Sequence, residues 1–225
     1  MAAQELLTTS LYSDGNLQSY YPLEGNSNDS KGTFNGSDTN MAYGAAYGKF
    51  SQGGSLNGTS SRSLLGTAFN FSGTSSFSVG GWVNPLAVTG TNFIASKFNG
   101  GVAGVWYLRI ILGTLNFRRE GSGATSATGT IPTNQWSMVA ATYDGATRRV
   151  YVDGTLNNSD ADTTAIGTTA DNVYIGCREQ VGTPTEFFSG YLDDLFMFTR
   201  TLTATEIGDL FNRTGGYLDL TSKTW

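Results

Sequence analysis

Short apolar runs recur from one end of the chain to the other, each cut off within a few residues by glycine, asparagine, aspartate or serine. That spacing fits an all-β sandwich or barrel, because half-buried strands are short and their turns need residues that tolerate tight backbone angles. It predicts strands at Leu17–Glu24, Ser55–Gly58, Phe77–Asn84, Phe93–Phe98, Val105–Leu112, Leu115–Glu120, Trp136–Tyr143, Arg148–Val152, Val173–Arg178 and Gly190–Thr199. Asp144-Gly145 and Asp153-Gly154 fall between or after such runs, where tight hairpins call for positive φ.

Alternation assigns faces. In Val105–Leu112 the residues Trp106, Leu108, Ile110 and Leu112 share one face, expected to be core. Val105, Tyr107, Arg109 and Ile111 share the other, which mixes an aromatic and a cation with apolar groups and so reads as half wet. A hairpin with Leu115–Glu120 brings Arg109 and Arg118 onto one outward face. One helix is expected. Thr203-Ala204-Thr205-Glu206 is a capping box, and Ile207, Leu210 and Phe211 follow at helical spacing. The domain is placed at 17–212, with an N-terminal extension over 1–16 and a tail over 213–225.

Composition removes whole classes of chemistry. The chain has no histidine, which excludes a histidine base or ligand. Cys177 is the only cysteine, which excludes an internal disulfide and a cysteine-rich zinc site. The net charge is −5 and the 13 cations are scattered, so the basic patch that a nucleic-acid partner needs is missing. No apolar stretch reaches the roughly 18 residues of a membrane span, and the first residues lack the pattern of a secretion signal.

Several blocks resemble laminin-G-like domains of the concanavalin A-like lectin/glucanase superfamily. Trp136-Ser137-Met138-Val139-Ala140-Ala141-Thr142-Tyr143-Asp144-Gly145, followed by Val150-Tyr151-Val152-Asp153-Gly154, resembles the central hairpin. Phe77 to Pro85 is similar to the strand with a buried tryptophan, here Trp82. Gly190-Tyr191-Leu192-Asp193-Asp194-Leu195 with the capped helix resembles the closing strand and helix, and Tyr21 to Gly32 the opening strand and first loop. Ser137 and Met138 stand where family members often carry histidines. The resemblance implies an all-β, two-sheet antiparallel jelly-roll sandwich with one short C-terminal helix.

It also implies a structural calcium near the Asp193-Asp194 pair, with Glu24, Asn28 and Asp29 of the first loop as further ligands. Calcium takes 6–8 oxygens, which this set could furnish with waters. The alternative is that Asp193 bonds backbone amides and binds nothing. Asp160-Ala161-Asp162 begins like a calcium loop but lacks the later ligands, and reads as a surface turn. Family glucanases carry Glu-x-Asp-x-x-Glu on one strand. No such string occurs here, and the glutamates are isolated, so the chain is expected to be non-catalytic.

Candidate ligand contacts pair aromatics with polar groups in loops and on strands. They are Tyr107, Arg109 and Arg118 on the outward face, Lys97 and Asn99 in one connection, and Arg178 and Glu186 in the long connection after Cys177. The expected function is a non-catalytic module that binds carbohydrate or glycan-decorated surfaces, set on an extracellular surface or a virus particle. The alternative is a structural, decoration or fibre protein of a virus particle or cell envelope, docking on neighbouring proteins through its terminal extensions.

Overall fold

A computed structural model describes residues 11–100, 105–119 and 123–213. Most of the expected extensions (1–10 and 214–225) and Glu120 at the end of one expected strand lie outside the described residues. The strands in chain order are β1 (Leu17–Tyr21), β2 (Ser37–Thr39), β3 (Ala42–Gly44), β4 (Gly53–Asn57), β5 (Arg62–Leu64), β6 (Phe77–Pro85), β7 (Thr91–Lys97), β8 (Trp106–Ile111) and β9 (Thr114–Arg119). They continue with β10 (Ala124–Thr130), β11 (Ser137–Tyr143), β12 (Thr147–Val152), β13 (Thr155–Ala161), β14 (Val173–Ile175), β15 (Arg178–Gln180), β16 (Thr183–Thr185) and β17 (Ser189–Phe198), before the helix α1 (Ala204–Asn212).

Two large sheets face each other. One runs β13-β12-β11-β6-β17-β4-β3, with β1 also paired to β17; the other runs β10-β9-β8-β7-β14-β5-β2. The hairpin β15–β16 forms a small sheet of its own. The expected sandwich and capped helix are therefore present. The expected strand Val173–Arg178 is split at Gly176. That residue has φ 85, and a Cβ there would fall 2.1 Å from Leu56 Cδ2, so glycine is favoured at this turn.

The core between the sheets is aromatic at its centre. Phe77 stacks on Phe71 at 4.0 Å between centroids, and Trp106, Phe117 and Tyr143 pack around it. The Trp106 ring is fully buried, and its Nε1–H donates to the Phe69 carbonyl at 3.0 Å, so its one polar atom is satisfied. Leu108 and Ile110 join this core. Leu112 does not: β8 ends at Ile111, and Leu112 sits in the following turn with φ 48 and is 73% exposed.

A second core lies on the other side of the eight-stranded sheet. Tyr20, Trp82, Met138, Phe196 and Phe198 are covered there by Leu11 and by Ile207 and Leu210 of α1. The capping box is formed, with Thr203 Oγ1 accepting from the Glu206 amide and Glu206 accepting from the Thr203 amide. Glu206 also grips Arg200, which ties the helix start to the end of β17.

Asp162, expected in a surface turn, is instead buried beside the core. Its Oδ2 accepts from Arg119 Nη1 at 2.9 Å, its Oδ1 accepts from the Thr164 amide, and Arg148 Nε lies 3.5 Å away. The Arg119 guanidinium lies 3.4 Å from the Tyr143 ring centroid. Burial alone would raise the Asp162 carboxyl, but the Thr164 and Arg119 hydrogen bonds outweigh it and hold the group below the usual aspartate value. The stability it contributes is therefore present above the ordinary carboxylate range and lost as pH falls through the folded value. Asp162→Ala leaves buried guanidinium without its counter-charge and is expected to cost about 3–5 kcal/mol in urea unfolding at neutral pH. An unchanged urea midpoint would contradict this assignment.

Candidate functional site

The two outer faces differ. That of the eight-stranded sheet lies under α1 and the residues around Leu11. Among the described residues, that of the seven-stranded sheet carries a small cluster, Phe93, Val105 and Tyr107 with Phe98 packed against it. The register of β7, β8, β9 and β14 arranges this face in two adjacent rows. Arg118, Tyr107, Ser96 and Tyr174 follow one another across the strands in one row. Asn116, Arg109 and Phe93 follow in the next. Cross-strand partners point to the same side of a sheet, so the core placement of Trp106, Leu108 and Phe117 is what turns these groups outward.

Arg109 is held between rings and an amide. Its guanidinium carbon lies 4.7 Å from the Tyr107 ring centroid and 5.5 Å from that of Phe93, and its Nε donates to Asn116 Oδ1 at 2.9 Å. Tyr107 and Phe93 are 3% and 1% exposed, so the arginine rather than an open ring meets solvent here. Arg118, opposite Tyr107 and half-buried, engages no described carboxylate, and its buried Nε has no partner among the described residues.

One side of the face is walled by the β15–β16 hairpin. Arg178 lies over Phe98 at 4.8 Å and Phe93 at 5.8 Å, and pairs with Glu186. Glu179 is buried beneath it and accepts from Tyr174 Oη and Asn172 Nδ2. Asn99 fixes the hairpin tip. Its Oδ1 accepts from the Gly182 amide at 2.8 Å, and its Nδ2 donates to Asp171. Of the residues singled out in the sequence, Tyr107, Arg109, Arg118, Arg178 and Glu186 thus lie together, with Asn99 as a positioning group at the edge. Sequence reasoning missed Phe93, Phe98 and Asn116, because their places depend on strand register.

Lys97 does not belong to this surface. It is fully buried, and its ammonium donates to the carbonyls of Thr67, Ala68 and Asp171. The irregularity between Phe93 and Ala95 shifts the alternation of β7 and sends Lys97 inward.

Of the expected metal ligands only Glu24 and Asp193 come near each other, on either side of the segment 49–52. Asp29 is buried, and its two oxygens accept the amides of Tyr20, Lys31, Thr33 and Phe34. Asn28 is exposed. Glu24 accepts from the Gln52 amide. Adjacent strand residues should face opposite ways, but a bulge follows Asp193, and Asp194 takes φ 50. Asp193 then accepts the Lys49 and Phe50 amides at 2.8 and 3.0 Å, while Asp194 meets Tyr20 Oη and Arg213. Among the described residues no group of three or more carboxylates stands close enough to hold a metal, and amide hydrogens occupy both oxygens of Asp29 and Oδ2 of Asp193. Melting temperatures in calcium and in chelator are expected to coincide; a rise in calcium would contradict the amide assignment.

Burial pushes the Asp193 carboxyl up to about 7, against the opposing pull of the Phe50 and Lys49 amides. The folded chain therefore holds a proton there that the unfolded chain releases near 3.8, and stability attributable to Asp193 falls as pH rises from about 4 to 7. Relative to Asp193→Asn, the parent chain should lose stability across that window in chemical denaturation. A difference that does not vary with pH would contradict the burial argument.

The family model of the concanavalin A-like lectin/glucanases superfamily of the laminin-G type matches residues 57–208, and the chain belongs to this family. No curated protein sequence matches it. Among solved structures, domain 4 of AbnA, an extracellular arabinanase from Geobacillus stearothermophilus, in complex with arabinotriose, superposes with a TM-score of 0.70 at 22% identity, over 88% of this chain and 98% of that one. The binding domain of Paraclostridial Mosquitocidal Protein 1 gives 0.71 at 18% identity, over 88% of this chain and 52% of that one. A carbohydrate-binding module of a Ruminococcus gnavus sialidase bound to sialyllactose gives 0.55 at 14% identity, over 61% and 82% of the two chains.

Proposed function

We propose that this chain is a non-catalytic glycan-recognition module acting at an extracellular surface, and that it meets its ligand on the outer face of the seven-stranded sheet. The observation that carries this is the gathering of Tyr107, Arg109, Arg118, Arg178 and Glu186 on a sheet face that no helix of the described residues covers. Donors held in fixed positions beside rings are what sugar sites use for orientation. Structures of similar fold bound to arabinotriose and to sialyllactose support the reading.

Bond cleavage has no support on this face. Glycoside hydrolysis needs two carboxyl groups facing each other across the scissile bond. Among the described residues of the face, Glu186 is held by Arg178 and Glu179 by Tyr174 and Asn172. The alternative of a structural protein rests on terminal segments that lie mostly outside the described residues.

A glycan array probed with the full chain is expected to give reproducible hits. Arg109→Ala should weaken those hits about tenfold or more, since hydrogen bonds to charged groups carry that much discrimination. An array without hits would overturn the function; undiminished binding by Arg109→Ala would overturn the face.

A further inference from the structure

The same face carries an electrostatic asymmetry that names a ligand class. The chain as a whole has a net charge of −5, yet three guanidinium groups gather on this surface. Only one of them is neutralised. Arg178 pairs with Glu186, whereas Arg109 and Arg118 form no ion pair with any described residue. The other described arginines outside this face, apart from Arg62, are all matched to aspartate or glutamate. Two positive charges on neighbouring strands, each half-buried and without counter-charge, raise each other's cost in the free protein, and a bound anion offsets that cost.

The geometry of Arg109 sharpens the inference. The Tyr107 and Phe93 rings lie against it, and Asn116 takes its Nε–H. Both terminal nitrogens remain without a described partner. A guanidinium fixed in this way offers two parallel N–H bonds, the arrangement that a carboxylate accepts in a bidentate pair. Little rotamer freedom is left to lose on binding. Stacking of a neutral sugar is disfavoured at the same spot, because neither ring is open to solvent. A long polyanion is disfavoured too, because the basic zone is only a few side chains wide on an acidic protein.

We infer that the Arg109–Arg118 face selects glycans bearing a carboxylate, with Arg109 clasping the acid group and Arg118 supplying the second charge. This inference rests on the reading that the face is a glycan site, and the experiment separates the two. Calorimetric titration of the full chain compares sialyllactose with lactose, and oligogalacturonate with its methyl ester. A sulfated oligosaccharide serves as a third arm for anion chemistry without carboxylate geometry.

The acid of at least one pair is expected to bind about tenfold or more tightly than its neutral counterpart, because charge-assisted hydrogen bonds are worth that much. The gap should narrow as salt is raised, since the half-exposed charges are screened within about 8 Å at physiological ionic strength. It should collapse in Arg118→Gln and in Arg109→Gln. Binding of neutral members as tightly as acids would overturn the carboxylate assignment and leave glycan recognition standing. Preference for the sulfated probe over both acids would overturn the bidentate carboxylate geometry. No binding to any probe would overturn both readings. The acid-to-neutral comparison is made on the unsubstituted chain, so it stands even if a variant fails to fold.

Discussion

The register of β8 against the aromatic core is the constraint on which the rest depends. Trp106 is fully buried beside Phe77 and Phe71, with its one N–H satisfied. A slip by one residue would exchange every side chain of β8 between faces. It would drive Arg109 into an apolar layer and expose the indole. The cost of burying an unpaired guanidinium exceeds what any surface contact returns, so the core dictates the surface. Tyr107, Arg109 and, through the hairpin, Arg118 are outward because Trp106, Leu108 and Phe117 are inward.

The two outer faces of the sandwich solve different problems. One is apolar and is sealed by α1, whose capping box and Arg200–Glu206 pair anchor it at the end of β17. The other keeps its rings beneath arginines and receives only the β15–β16 hairpin along one side. A cation over a ring face gains from the ring's electrostatic character and keeps its in-plane N–H groups directed outward. The first loop follows the same logic without a cation. Asp29 gathers four backbone amides, and Asp193 gathers two from the segment before β4. Acidic side chains here order loops by accepting amide hydrogens.

Much of the frame was legible in the sequence, because period-two alternation and turn chemistry are local. The helix start at Thr203, the hairpin at Asp144-Gly145 and the facing of β8 and β9 all follow from neighbouring residues. Polar strands such as β2, β10 and β13 carry no such alternation, and they exist because a partner strand offers them hydrogen bonds. Alternation also fails wherever a bulge intervenes. This is why Lys97 turns inward and why Asp193 and Asp194 do not divide between faces in the expected way. Asp162 carried no local mark of burial, since its partner Arg119 is distant in sequence. The candidate face could be named from Tyr107, Arg109 and Arg118. The contributions of Phe93 and Asn116 emerge only once the strands are aligned.

Thiol accessibility along β8 and β9 tests the central claim most directly. Cys177 provides a silent background, being fully buried with its thiol pushed up to about 12 by that burial. Single cysteines placed by Arg109→Cys and Arg118→Cys should react rapidly with a thiol reagent in the native chain, while Leu108→Cys and Ile110→Cys should react only on unfolding. Fast labelling at 108 and 110 with protection at 109 and 118 would show the opposite register and contradict the account.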